Sequence, residues 1–146
     1  MIGLIQRVSQ AQVDVVGETI ASIERGLLCL IGVRQSTTDQ EVARLATRLL
    51  RYRVFPDARG RMNLSVQDIQ GGVLLVPQFT LAADTRSGNR PSFSTAAAPQ
   101  QAEAHFQALL DRMMRAENVT VASGQFAADM QVSLVNDGPV TFWLEP

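Results

Sequence analysis

Lysine is absent from this sequence of 146 residues, and cysteine and histidine occur once each. A single cysteine and a single histidine exclude a disulfide framework, a thiolate metal cage and a site built from several histidines. We expect Cys29, inside the apolar run GLLCLIGV, to be a core residue. We expect His105, beside Ala102 and Leu109 on a predicted helix, to be structural rather than catalytic. The sequence therefore predicts neither a metal site nor a bound cofactor.

Long apolar runs are also missing. None approaches the roughly 20 residues of a membrane-spanning helix, and the start MIGLIQRVSQ turns polar too early for a signal peptide. We therefore expect a cytoplasmic protein that makes no membrane contact. With 46% apolar and 18% charged residues, the chain is long enough to bury a sizeable core, and we expect residues 1–146 to form a single domain.

The charge balance limits the contacts that the chain can make with nucleic acid. A formal net charge of −1 argues against phosphate binding by the whole surface, so any such contact must be local. Arg44, Arg48 and Arg51 follow one another at spacings that place them on one face of a predicted helix. Arginine suits phosphate through its planar fork, but such a stripe is also typical of a solvated helix face, and both interpretations remain open.

The order of predicted elements indicates an α/β fold. AQVDVVGETIASI alternates as a hairpin around Gly17-Glu18, and GLLCLIGV is a buried strand. Thr38 and Glu41 form a capping box for a helix to about Tyr52, and a second helix runs from about Pro99 to Ala116. FPDARG is a predicted turn, and the remaining predicted strands are MNLSV, VLLVPQFTL, VTVAS, ADMQVSLV and VTFWL. The order β-β-β-α-β-β-α-β-β-β predicts a mixed, largely antiparallel sheet with two main helices.

Two segments are not explained by local structure. VPQFTLAAD ends a buried strand and opens into a long loop without periodicity, which is typical of a functional loop. NDGPVT carries a strong hairpin signal, yet Pro139 follows at once and cannot donate to the ladder of a hairpin. The plain interpretations are a strand that leaves the core and a C-terminal hairpin.

These segments carry a resemblance to a known family. PQFTLAADTRSGNRPSF and GQFAADMQVSLVNDGPVTFWLEP, with MIGLIQRVSQAQV and RMNLSV, resemble the bacterial D-aminoacyl-tRNA deacylases over nearly the whole chain. The family has two motifs, Ser-Gln-x-Thr and Asn-x-Gly-Pro-x-Thr, which fall here on residues 77–80 and 136–141. The second motif matches completely, whereas Pro77 replaces the serine of the first. A role for that serine hydroxyl therefore does not carry over.

The resemblance implies a curled deacylase-like sheet, a homodimer and an enzyme that needs no cofactor. The implied reaction is hydrolysis of the ester between a D-amino acid, or glycine, and the terminal adenosine of tRNA. The implied partner is thus the 3′ end of aminoacyl-tRNA. In the family, the Gly138–Pro139 bond is cis, and this backbone enters the site of the partner subunit, where it screens chirality. Proline makes a cis bond accessible at only about 0.5 to 1 kcal/mol.

The remaining site residues follow from the same resemblance. Gln78 is implied to orient the ester or the adenosine, and Phe93 to pack on the base. Asn136 belongs to the substrate-selecting motif, and Arg7 is implied to support the proline loop, although an ordinary surface arginine is nearly as good an interpretation.

The role of Thr80 has two interpretations. Its hydroxyl is a candidate nucleophile, but no base is in view in the sequence nearby. Alternatively, backbone N–H groups around Phe79 and Thr80 hold the oxyanion while the 2′-hydroxyl of the substrate ribose positions water, and we favour this second interpretation. A dimeric module that binds a small ligand or RNA without turnover is the alternative from a different functional class.

Overall fold

The computed structural model describes all residues from Met1 to Pro146. Two helices and one short 3₁₀ helix, Phe79–Ala82, accompany eight strands. The strands are β1 Ile2–Val15, β2 Glu18–Ile23, β3 Gly26–Gly32, β4 Phe55–Pro56, β5 Met62–Leu64, β6 Gly72–Pro77, β7 Thr120–Ser123 and β8 Gln131–Leu144. The helices are α1 Asp39–Arg51 and α2 Pro99–Met114.

One sheet of six strands organises the molecule. Its order is β2-β1-β3-β6-β7, and β8 pairs with β1. The pairs β3–β6 and β6–β7 are parallel, whereas β1 is antiparallel to β2, β3 and β8. The predicted α/β class with a mixed, largely antiparallel, curled sheet is therefore confirmed. Strands β4 and β5 form a separate small hairpin.

The helices cover one face of the sheet and bury the larger apolar cluster. Helix α1 begins at the predicted capping box, in which Thr38 accepts from the Glu41 amide and the Glu41 carboxylate accepts from the Thr38 amide. Its buried face and that of α2 pack on β1, β3 and β6. Cys29 lies in this cluster, fully buried, and burial raises the pKa of its thiol. No helix of the chain is long and apolar enough to cross a membrane.

Several strand boundaries differ from the sequence prediction; β8 begins at Gln131 rather than Ala128, and β5 ends at Leu64 rather than Val66. Strand β1 begins at Ile2, since the opening residues pair with β3 and extend the predicted hairpin strand. Strand β6 ends at Pro77, because Phe79–Ala82 turns into the 3₁₀ helix instead of continuing as a strand. The segment predicted as a turn after α1 includes β4, which pairs with β5. These short pairings depend on partners that lie elsewhere in the chain.

The plain interpretation of NDGPVT as a C-terminal hairpin was wrong. Residues 131–144 form one strand, β8, and both halves of it pair with β1. Asn136 pairs with Val8, and Thr141 pairs with Gln6. Between these two pairs β8 advances by five residues while β1 advances by two, so β8 contains extra residues here. The residues between them bulge out of the ladder rather than reversing the chain. The predicted last two strands are therefore one bulged strand.

Candidate active site

The first motif forms the end of a strand and the turn that follows it. The Gln78 amide donates to the carbonyl of Ile31 across 2.8 Å and thereby fixes the point where the chain leaves the sheet. The first intrahelical bond of the 3₁₀ helix joins the Leu81 amide to the Gln78 carbonyl at 3.2 Å. The N–H groups of Phe79 and Thr80 precede that bond, so the helix itself provides no acceptor for them. They are two adjacent backbone donors at an exposed turn.

The side chains of this turn hold one another in place. The Gln78 side-chain amide donates to Thr80 Oγ1 across 2.5 Å. No histidine or carboxylate contacts the Thr80 hydroxyl, and the lone histidine, His105, instead faces Asp39 at 3.7 Å. Nowhere do three or more His, Cys, Asp or Glu side chains cluster to hold a metal ion. The turn therefore offers donors for a developing negative charge but no general base beside the hydroxyl.

An aromatic pair and an apolar cavity adjoin the turn. The rings of Phe79 and Phe93 lie 5.0 Å apart at 50°, and both are substantially exposed. Beside them is a cavity of about 450 Å³, walled on one side by Gln78 and Phe79 and on another by Phe126 and Met130. Its lining is mostly apolar. Such a cavity beside two adjacent backbone donors suits a planar heterocycle attached to a reacting carbonyl.

The second motif is a self-supporting bulge. Asn136 Oδ1 accepts from the Val140 amide at 3.0 Å, and Asn136 Nδ2 donates to Thr141 Oγ1 at 3.0 Å. Gly138 has a φ of 138°, and the Gly138–Pro139 bond is cis, as the resemblance implies. A Cβ on Gly138 would lie 2.7 Å from Val140 Cγ2, so the bulge itself requires glycine. The first and last residues of the motif thus shape the backbone that Gly138 and Pro139 expose.

Arg7 ties this bulge to the rest of the fold. Its Nε donates to the Asp137 carbonyl at 2.9 Å and lies 3.2 Å from the Asp137 carboxylate. Its Nη1 donates to the Val54 carbonyl at 2.6 Å, and the side chain is only 12% exposed. Arg7 is therefore a partly buried clamp on the bulge rather than an ordinary surface arginine.

The structure does not bring the two motifs together within one chain. The first motif, at the end of β6, is separated from β8 by strands β3 and β1, through the pairs Pro77–Ile31, Ile31–Gly3 and Gly3–Leu144. Leu144 in turn lies six residues beyond Gly138 along β8. At spacings of ~4.8 Å between strands and ~3.3 Å along them, the motifs lie roughly 14 Å apart across the sheet and 15 to 20 Å apart along it. No residue of the bulge lines the cavity beside Gln78. Gln78, Phe79, Thr80 and Phe93 are thus gathered in one place, and Arg7, Asn136, Gly138 and Pro139 in another.

Sequence reasoning missed the wall of the cavity that precedes β8. Phe126 and Met130 lie in the connection from β7, and Ala127 between them adopts a φ of 59°. The sequence gives no local signal for this conformation, because alanine rarely adopts a positive φ. Phe126 and Met130, two large apolar side chains in a short connection, are the signal in the sequence that points to this wall.

The chain is similar over nearly its whole length to known proteins of one family. A family described as D-Tyr-tRNA(Tyr) deacylase matches residues 4–145. A protein of Alkalilimnicola ehrlichii named D-aminoacyl-tRNA deacylase is 60% identical over 145 residues, which cover 99% of this chain and 96% of the relative. A protein of Haemophilus influenzae with the same name is 56% identical over 144 residues and 99% of both chains.

Solved structures give the same fold. A structure titled c-Myc DNA Unwinding Element Binding Protein superposes with a TM-score of 0.92 at 39% identity, covering 100% of this chain and 99% of that one. A structure titled as a probable eukaryotic D-amino acid tRNA deacylase gives a TM-score of 0.85 at 17% identity, covering 99% of this chain and 98% of its own. The second likeness shows the fold alone.

Proposed function

The chain belongs to the D-Tyr-tRNA(Tyr) deacylase family, and we propose that residues 1–146 act as one domain that removes D-amino acids, and glycine, from tRNA. The reaction is hydrolysis of the ester at the terminal ribose, with free amino acid and free tRNA as products. The observation that carries this proposal is the exposed Phe79–Thr80 backbone beside an apolar cavity. The backbone donors can stabilise the charge of an oxyanion, and the cavity beside them can hold a nucleobase.

The terminal adenosine of tRNA fits the cavity beside Gln78. A purine is planar, with apolar ring faces and polar edges, and the cavity of about 450 Å³ exceeds what one base requires. Phe93 lies at 5.0 Å from Phe79 and leaves part of its ring exposed, so it can pack on a base from the outer side. With the base held there, the ester lies beside the turn of Gln78 to Thr80.

Hydrolysis in this site uses backbone donors and the substrate itself. The N–H groups of Phe79 and Thr80 donate to the ester carbonyl oxygen, and these bonds strengthen as negative charge develops on it. Water attacks the carbonyl carbon, the bond to the ribose oxygen breaks, and that oxygen takes up the proton that the attacking water loses. The 2′-hydroxyl of the terminal ribose positions the water. Gln78, held on Thr80 Oγ1, orients the ester.

Selection between D- and L-aminoacyl groups requires a filter that ignores side-chain identity. A pocket that attracts one methyl group discriminates by only ~1 to 3 kcal/mol, whereas a rigid backbone excludes one configuration by direct clash. The bulge of Gly138 and Pro139 is such a backbone, since Asn136 and Arg7 fix it from both sides. Its carbonyl groups hold the ammonium group common to all substrates. Glycine has no Cβ and passes the filter.

A homodimer completes the site, because one chain keeps its two motifs apart. An apolar row lies on the open face of the sheet along paired positions: Trp143 pairs with Leu4, and Leu4 pairs with Leu30. Trp143 is 48% exposed, and Leu4 and Leu30 are half-buried. A second copy on this face buries the row, and two-fold symmetry then carries each Gly138 toward the Gln78 of its partner. The 3′ end of tRNA is thus bound across the interface.

The direct test of the proposed function compares three substrates. We expect D-tyrosyl-tRNA and glycyl-tRNA to be hydrolysed by the purified protein, and L-tyrosyl-tRNA to be left intact. Release of labelled amino acid measures each rate, with Gln78→Ala as the matched protein control. Binding of all three tRNAs without turnover would instead identify a binding module, and equal hydrolysis of the D- and L-forms would contradict the backbone filter.

The shared site has its own test, a mixed dimer of Gln78→Ala and Gly138→Ala chains purified through two different tags. If each site combines one chain's Gln78 with the other chain's Gly138, both defects fall in one site and the second site is intact. We expect both parent homodimers to be inactive and the mixed dimer to recover about half of the wild-type rate per dimer. An inactive mixed dimer of correct size would place each site within one chain.

A further inference from the structure

Six exposed arginines lie along residues 44–61, a stretch that contains a single acidic residue. The exposed side of α1 carries three of them, and the others follow on the connection to β4 and on the turn between β4 and β5. No carboxylate lies within ion-pairing distance of any of the six guanidinium groups. We call this surface the arginine track: Arg44, Arg48, Arg51, Arg53, Arg59 and Arg61.

The one acidic residue in this stretch, Asp57, stabilises the turn between β4 and β5 and does not neutralise the arginines around it. Asp57 accepts from the side-chain amide of Asn63 at 2.9 Å and from the backbone amides of Arg59 and Arg61 at 2.8 and 3.0 Å. These hydrogen bonds lower the pKa of the Asp57 carboxyl, and the bond from Asn63 has the largest effect. The carboxylate thus faces the backbone of the turn, and the guanidinium groups of Arg59 and Arg61 remain free.

The track lies next to the bulge of the second motif. Val54, which follows Arg53, accepts a hydrogen bond from Arg7, and the same Arg7 side chain holds Asp137. One partly buried guanidinium group, that of Arg7, therefore joins the centre of the track to the residue before Gly138. In a chain of net charge −1, this is a concentrated positive surface beside a proposed substrate-selecting backbone.

We propose that the arginine track binds the sugar-phosphate backbone of the tRNA acceptor stem while the 3′ end occupies the active site. The inference rests on the proposed function, since it deepens that function by assigning the contact with the body of the substrate. Because the Gly138 bulge serves the partner's site, the track of one subunit binds the tRNA whose end lies in the other.

The chemistry of the track matches this ligand. Double-stranded RNA is recognised mainly through phosphates, 2′-hydroxyls and helix shape, since its deep major groove is closed to side chains. Arginine pairs with phosphate through two parallel N–H donors. Phosphate contacts carry no sequence information, and a deacylase that corrects many tRNAs needs contacts common to all of them.

The experiment neutralises exposed arginines in pairs. R59Q/R61Q and R44Q/R51Q remove charge at the two ends of the track, and R112Q/R115Q removes two exposed arginines at the end of α2 as a matched control. Each protein is assayed on D-tyrosyl-tRNA and on D-tyrosyl-adenosine, which lacks the stem. We expect the ratio of kcat/KM for tRNA to that for the adenosine ester to fall about tenfold for the track variants only.

Salt dependence provides a second readout. Each lost phosphate contact lowers the slope of log K against log salt by about 0.9, so a double variant lowers it by roughly 2. Binding of uncharged tRNA is measured at several salt concentrations, which tests the track even if no protein hydrolyses the ester. A slope unchanged from wild type, or an equal loss in R112Q/R115Q, would overturn the proposal. So would binding of the track to vesicles of anionic lipid with no effect on tRNA.

Discussion

The side-chain amide of Gln78 donates to Thr80 Oγ1 across 2.5 Å, so the hydroxyl of the motif threonine faces an amide rather than a base. A hydroxyl acts as a nucleophile when a neighbouring group removes its proton, and an amide N–H cannot do so. The contact fits a threonine that positions Gln78. It therefore supports hydrolysis driven by backbone donors and water.

Thr80→Ala should accordingly weaken turnover without abolishing it. We expect kcat/KM on D-tyrosyl-tRNA to fall about tenfold, some 1.4 kcal/mol of barrier, because Gln78 loses its anchor while the backbone donors remain. Thr80→Ser keeps an anchor and should remain within about threefold of wild type. A folded Thr80→Ala protein that binds tRNA yet shows no turnover would indicate a covalent mechanism.

Arg7 is predicted to act on selectivity through the bulge that it clamps. Arg7→Lys and Arg7→Gln each lose the fork that reaches both Asp137 and Val54. We expect hydrogen exchange at residues 136–140 to speed up and the D-to-L ratio of hydrolysis rates to fall about tenfold in both variants. Gln12→Ala, which removes a side-chain contact to Asp14 on the same strand away from the bulge, is the control for a general loosening of β1. An unchanged D-to-L ratio with faster exchange would limit Arg7 to a role in stability.

Pro77→Ser tests the departure from the family motif. Backbone N–H groups alternate in direction along a strand, and the Gln78 amide points toward β3, so the nitrogen of Pro77 points toward β7. A residue with an N–H group at position 77 would donate there to the carbonyl of Gly124. That carbonyl accepts from the Ser123 hydroxyl at 2.6 Å instead, so the proline leaves no buried acceptor unpaired. We expect Pro77→Ser and Pro77→Ala to change kcat by less than about threefold. A gain of about tenfold in the serine variant alone, some 1.4 kcal/mol, would show that the serine hydroxyl has a chemical role.

Val16→Asn should stabilise the fold. Val16 forms the tip of the β1–β2 hairpin with a φ of 52°, and its side chain is 96% exposed. A β-branched residue is strained there, whereas asparagine is favoured at this turn position before Gly17. We expect the free energy of unfolding in urea to rise by about 1 kcal/mol, with Val16→Ala giving a smaller change. Equal or lower stability of Val16→Asn would show that the turn is not strained by valine.

Features that depend on neighbouring residues were predictable from the sequence. The capping box of Thr38 and Glu41 starts α1 where it was predicted, because its hydrogen bonds span only three residues. The hairpin was also predictable from its alternating strands, although its two-residue turn lies at Val16 and Gly17, one position before the predicted Gly17-Glu18. The two family motifs also marked the segments that the structure places at an exposed turn and at a clamped bulge.

The tertiary structure alone decided what those segments form. Asn136–Gly138 reads as a tight turn in isolation, but both flanks find hydrogen-bond partners on β1, so the ladder continues and the segment bulges instead. Arg7 lies 130 positions from Asp137 in the chain, and no local pattern predicts that its guanidinium group also reaches Val54. A turn signal reflects the φ preferences of a few residues. Strand pairing is decided by the hydrogen bonds and apolar contacts of the whole sheet, which outweigh those local preferences.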